Sequence, residues 1–183
     1  MGSVWRDARS IADLGQAMAL WMEGRGPDWP GYYGPFGQEE ESGARHLIPV
    51  LAAANRAGFV TTGSQPAHDT TSGGVRWRQR AHVDGIVHDR SPLLGRLTAL
   101  ERQGFLVVRG WPMRYTAVTD RDGEPVTGFG GFRLGRNQTA REWHGIGRHA
   151  LREVKDRAVR LNIVDPVWGR DDRLWPALTN AIC

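Results

Sequence analysis

The chain has 183 residues, a size that fits one domain, with 40% hydrophobic and 24% charged residues. No run of about 18 apolar residues is present, which excludes a transmembrane helix, and the start Met1-Gly2-Ser3-Val4-Trp5-Arg6-Asp7 has no signal-peptide pattern. The net charge is +4, carried almost wholly by arginine with Lys155 the only lysine, and no tract of five basic residues marks a nucleic-acid surface. The single Cys183 excludes an internal disulfide and fits a reducing, cytoplasmic setting.

The first helix is expected from Ser10 to Glu23, with Ser10 as cap and Asp13 completing a capping box. Ile11, Leu14, Met18, Trp21 and Met22 form its apolar face. A Gly-, Pro- and aromatic-rich ordered loop follows to Gly43. The acidic run Gln38–Ser42 then leads into a helix ending near Arg56, where negative charge suits the dipole. Gly58 fits the left-handed position after that helix, and Phe59 to Thr62 is a β-favouring run. The polar turn Ser64-Gln65-Pro66 is expected to end the strand, because Pro lacks a donor and restricts its predecessor.

His68 to Gly74 reads as a polar loop, and Val75 to Val87 as one long strand with a change of face. Arg76, Arg78 and Arg80 fall on one side of such a strand, as a solvated face or an anion site. Ser91-Pro92 opens a helix that ends at Gly104, followed by a strand to Val108. The two helix-Gly-strand units around Gly58 and Gly104 echo each other as common grammar. Strands Tyr115–Thr119 and Val126–Phe132 flank the hairpin signal Asp120-Arg121-Asp122-Gly123. Thr139 with Glu142 reads as a capping box for a helix to about Arg157. A strand at Leu161–Val164 and a last helix from Asp172 close an α/β or α+β domain with a mixed sheet.

Six histidines invite a metal reading. However, His144 and His149 are spaced five apart, off one helix face, and no His-Glu-x-x-His or Cys pair exists. Gly128, Gly130 and Gly131 fail the dinucleotide pattern, and no phosphate-binding loop or nucleophile elbow occurs.

The stretch Phe59-Val60-Thr61-Thr62-Gly63-Ser64-Gln65-Pro66 resembles the Leu-Thr-Ile-Asn-Ser-Gln-Pro signature of eukaryotic methylenetetrahydrofolate reductases. Arg160-Leu161-Asn162-Ile163-Val164-Asp165 with Leu174-Trp175 resembles the closing segment of the same family's C-terminal regulatory domain. Trp5, Ser10, Leu20-Trp21 and Gly24 follow its first helix. The resemblance implies a free-standing domain that binds S-adenosylmethionine, and with it S-adenosylhomocysteine. It further implies two adjacent mixed β-sheets surrounded by about five helices. The family's catalytic barrel, some 250 residues, is not represented, so no flavin, folate site or reductase activity is expected. By residue, the resemblance implies Thr61 and Ser64 at the signature turn, with Thr62 and Gly63 departing from the family's Ile-Asn. It also implies Thr127 in Val126-Thr127-Gly128, and Thr139, which is equally explained as an N-cap. Glu41-Ser42 matches a Glu-Thr pair, with Glu40 an alternative carboxylate.

The function expected on these grounds is ligand binding, with a possible protein partner that the ligand level reports to. The alternative is an enzyme consuming S-adenosylmethionine by lysis, hydrolysis or group transfer, with Glu41, Asp69 and His82 as candidate groups. Metal and nucleic acid are not expected.

Overall fold

In a computed structural model, residues 4–31, 44–109, 115–129 and 135–183 are described. A short helix α1 (Val4–Asp7) precedes α2 (Ile11–Met22). The Ser10 hydroxyl accepts from the Asp13 amide at 3.1 Å and the Asp13 carboxylate accepts from the Ser10 amide at 3.0 Å, so the capping box forms as read. A 3-10 turn (Arg45–Leu47) leads into α3 (Ile48–Arg56), and Gly58 at φ 99° closes it. The acidic run 38–42 and the loop from 32 to 43 lie outside the described residues.

Eight strands follow: β1 (Phe59–Gln65), β2 (His68–Ser72), β3 (Val75–Gln79), β4 (His82–His88), β5 (Leu106–Arg109), β6 (Thr116–Arg121), β7 (Glu124–Phe129) and β8 (Ala158–Val164). Between them lie α4 (Pro92–Thr98) with a 3-10 continuation to Gln103, α5 (Arg136–Glu142) and α6 (Arg148–Arg157); α7 (Leu174–Ile182) closes the chain. The strands form two four-stranded sheets, ordered β1-β4-β8-β5 and β2-β3-β6-β7, and every pairing is antiparallel. The fold is α+β with two sheets, but neither sheet is mixed, and seven α-helices occur among the described residues rather than five.

Four local expectations change. The first strand runs on through Ser64 and Gln65, because a proline holds its predecessor extended and only its own missing donor ends pairing. The stretch 68–74 is half of a hairpin, not a loop. Gly73 and Gly74 both have positive φ (58° and 80°) in a two-residue connection, the arrangement that matches strand twist. The expected long strand 75–87 is two strands in different sheets, parted at Arg80-Ala81. The helix expected from Thr139 is two helices, parted by a turn with Gly145 at φ 79°. The hairpin at Asp122-Gly123 forms as read, both residues at positive φ.

The sheet containing β1 is covered on both faces. Asn55 of α3 bonds Thr61 on one side, and Glu153 of α6 meets His88 of β4 on the other. Phe59, Val83, Val87, Leu161 and Ile163 join Leu51, Leu97 and Leu178 in one hydrophobic core. No residue of β2, β3, β6 or β7 belongs to that core among the described residues. The second sheet therefore projects from the core, and the seam between the sheets is left open to form a site.

Candidate functional site

The site begins at an irregularity in β1. Thr61 pairs with Gly85 and Gly63 with Asp84, so Thr62 is an extra residue in the ladder, a β-bulge. The bulge brings the Thr62 hydroxyl onto Asp84, donating to Oδ2 at 2.6 Å. A side chain at Gly63 would place its Cβ 2.4 Å from Asp84 Oδ1, so any larger residue there would have to displace the carboxylate. Thr61 takes the opposite direction. It is 1% exposed, its hydroxyl accepts from Asn55 Nδ2 at 2.7 Å, and its amide donates to Asn55 Oδ1 at 3.0 Å. Thr61 therefore anchors β1 on α3, and Thr62 is the threonine that turns to the site.

Asp84 stands opposite Asn162 of β8. Burial pushes its carboxyl above the ordinary 3.8, and the Thr62 hydrogen bond and the charge of Arg160 pull it back in part. Arg160 itself is ion-paired with Glu142 at the end of α5. Asp84 thus sits half-buried beside a cation that another carboxylate already holds.

Two register positions along the same strands, Gln65 faces His82. These two, from the core sheet, meet Gln79 of β3, Val118 and Thr119 of β6, and Thr127 and Phe129 of β7, from the projecting sheet, around a cavity of about 350 Å³; Gln79 pairs with Thr119 in that sheet. Gln79 Nε2 donates to the Pro66 carbonyl at 2.7 Å and lies 3.3 Å from Gln65 Oε1. His82 Nδ1 is 3.1 Å from the Arg80 carbonyl, and its ring meets Phe129 edge-on at 5.1 Å. Burial lowers the His82 pKa below its ordinary 6.5, the backbone hydrogen bond opposing it. Across the cavity Thr127 donates to the Thr119 hydroxyl at 2.7 Å.

Of the residues singled out in the sequence, Thr62, Ser64 and Thr127 thus fall on β1 or at the cavity. Ser64 is half-buried opposite Val83. Thr139 lies within α5, one turn before Glu142, and its hydroxyl donates to the Gly135 carbonyl at 3.2 Å. It is not an N-cap: that position is Gly135, whose amide donates to Gln138 Oε1 at 2.9 Å. The cap of α5 lies four residues earlier than read, where the Gln138 side chain accepts from the Gly135 amide and closes the first turn. Glu40, Glu41 and Ser42 lie outside the described residues. Asp69 is paired with Arg76, whose hydrogen bonds hold its carboxyl below the ordinary range. Arg78 is paired with Asp120, and Arg80 stacks 4.1 Å from the centroid of Trp168. Arg76 and Arg78 are thus neutralised by carboxylates, which argues against an anion site across the whole face, while Arg80 also donates to the Ala117 carbonyl.

Sequence reasoning passed over Asp84 and Gln79. The available signal for Asp84 was a lone charge inside the otherwise apolar run His82-Val83-Asp84-Gly85-Ile86-Val87. Among the described residues, no group of three or more His, Cys, Asp or Glu is placed to hold a metal ion. No helix among them is long and apolar enough to cross a membrane.

The whole chain, residues 1–183, matches the family model described as Domain of unknown function (DUF6919), and the chain belongs to that family. No curated protein matches it.

Proposed function

We propose that the chain binds S-adenosylmethionine, and with it S-adenosylhomocysteine, at the bulged end of β1 and the cavity beside it. One observation carries this reading. The stretches Thr61–Pro66 and Val126–Gly128, which resemble ligand-binding segments of methylenetetrahydrofolate reductase regulatory domains, are far apart in sequence yet meet at one cavity through Gln65 and Thr127. The chemistry around it is compatible. The ligand carries an ammonium and a sulfonium, and Asp84 is a half-buried carboxylate whose neighbouring cation, Arg160, is ion-paired with Glu142. It also carries an adenine, and His82 with Phe129 supplies an aromatic wall. A volume of about 350 Å³ lies at the lower end for ligand pockets.

The role we assign is that of a sensor in the cytoplasm, whose ligand-bound form is read by a protein partner. Calorimetric titration with S-adenosylmethionine, followed by mass analysis of the recovered ligand, tests it. Saturable heat with intact ligand supports it; no heat at millimolar ligand refutes it.

A second reading, turnover of the ligand, draws on His82. Its pKa is depressed by burial, so a neutral imidazole stands in the cavity wall as a potential base. Appearance of methylthioadenosine in the recovered material would favour it.

A further inference from the structure

We infer that the cavity is the base pocket for the ligand's adenine, and that it reads the amino-bearing edge through two acceptors and one donor whose orientations the backbone fixes. This inference rests on the adenosyl-ligand reading above and names which part of that ligand each side chain meets.

Two backbone carbonyl groups, which can only accept, fix these orientations. The Pro66 carbonyl lies 2.7 Å from one terminal atom of Gln79, so that atom must be the amide nitrogen. Gln79 Oε1 is then an acceptor with no partner among the described residues. The same nitrogen lies 3.3 Å from Gln65, so the Gln65 atom there is the oxygen, and Gln65 Nε2 remains a donor. The Arg80 carbonyl lies 3.1 Å from His82 Nδ1, so Nδ1 carries the proton. In the neutral ring, which burial favours, Nε2 is consequently an acceptor.

The residues lining the cavity thus carry two acceptors, Gln79 Oε1 and His82 Nε2, and one carboxamide donor, Gln65 Nε2, beside the ring of Phe129. No carboxylate, lysine or arginine lines it among the described residues. A neutral flat heterocycle suits such walls, and a phosphate or free carboxylate does not. Adenine matches the polarity: its amino group has two N–H donors for the two acceptors, and an adjacent ring nitrogen can accept from Gln65. Hypoxanthine places a carbonyl where the amino group was, which sets acceptor against acceptor and leaves both protein groups unpaired. Sites built to bond a polar group reject analogues lacking it far more strongly than apolar pockets reject a methylene. The charged methionine end then lies two register positions along β1 and β4, towards Thr62 and Asp84, since Gln65 pairs with His82 and Gly63 with Asp84.

The test is calorimetry on the full chain with S-adenosylhomocysteine, 5′-methylthioadenosine and S-inosylhomocysteine, the deaminated analogue. The two adenosyl compounds should bind and the inosyl compound should bind at least about tenfold more weakly. Gln79→Leu should weaken adenosyl binding by about tenfold or more and shrink the adenosyl-to-inosyl ratio towards one. Gln79 is 8% exposed and braces Pro66, so thermal unfolding of that variant must be followed in parallel. Gln65→Met, at an exposed position that does not threaten folding, should also lower the ratio. Equal binding of the inosyl compound, or a full adenosyl preference retained in both variants, overturns the base pocket while leaving S-adenosylmethionine binding intact. Absence of binding by every adenosyl compound overturns both.

Discussion

Thr61 and Thr62 are neighbours whose side chains serve opposite faces of one strand, and their replacement separates scaffold from site. Thr61→Val removes the hydroxyl that accepts from Asn55 but leaves Asn55 Nδ2 its second partner, the Leu51 carbonyl at 2.8 Å. The expected cost is about 1 kcal/mol in urea unfolding, with ligand affinity unchanged. Asn55→Ala removes the bonds to Leu51 and to both groups of Thr61 in a fully buried position, and should cost about 3 kcal/mol. If Thr61→Val abolished binding without altering the unfolding midpoint, Thr61 would be a ligand group after all. Asp84 behaves in the reverse sense. Its folded-state pKa is raised above 3.8, so the native protein holds that proton more tightly than the unfolded chain. The associated stability is full below the unfolded value and is lost as pH rises through the folded value. Asp84→Asn keeps an oxygen for the Thr62 hydroxyl and removes the buried charge. The variant should therefore unfold at higher urea than the parent at pH 7, and the gap should close as pH falls towards 4. The same variant should bind S-adenosylmethionine more weakly, the usual exchange of stability for a charged site. A lower midpoint at pH 7 would show that Asp84 is held by a cation in the free protein.

At the scale of elements, close approach decides where glycine is needed. Helix propensity alone says that alanine in place of a mid-helix glycine gains about 1 kcal/mol. A Cβ added at Gly95 in α4 would meet nothing within 4 Å, so Gly95→Ala should show that gain, about 0.5–1 kcal/mol. Gly15 in α2 is different: a Cβ there would lie 2.2 Å from the Asn55 carbonyl oxygen of α3. Gly15→Ala should force the two helices apart and cost about 1–3 kcal/mol despite its better propensity. Equal thermal shifts in the two variants would refute the packing account. These elements show what the sequence disclosed. Ser10 with Asp13, Ser91-Pro92, Gly58, Gly104 and Asp122-Gly123 announce their caps and turns through local chemistry, and all form as read. The hairpin at Gly73-Gly74 carried an equally local signal, but the polar Thr-Thr-Ser beside it drew the reading towards a loop. The bulge at Thr62 has no such signature, because it is set by which residue of β4 lies opposite, a pairing made over twenty positions away.

At the scale of the molecule, the two sheets differ in what holds them. The β1-β4-β8-β5 sheet shares the hydrophobic core with helices on both faces, whereas the β2-β3-β6-β7 sheet adds nothing to that core among the described residues. That explains why the candidate site was only half legible: Thr127 and the Thr61–Pro66 stretch stand out individually, yet their meeting depends on how a weakly buried sheet docks, which no periodicity encodes. It also makes a prediction about motion. Amides opening by local unfolding do so most readily where few apolar contacts are lost. In the free protein, backbone amides of β2, β3, β6 and β7 should exchange with deuterium well before those of β4 and β8. A ligand seated in the seam meets groups from both sheets, Gln65 and His82 on the core sheet and Gln79 on the projecting one. At about 100 times its dissociation constant it would stabilise the folded state by about 2.7 kcal/mol, and the sheet that gains most contact should gain most protection. Saturating S-adenosylmethionine should therefore slow exchange chiefly in β6, β7 and the end of β3. Protection confined to β1, β4 and β8 would place the ligand on the core sheet alone, leaving the cavity outside the site and the projecting sheet with no part in binding.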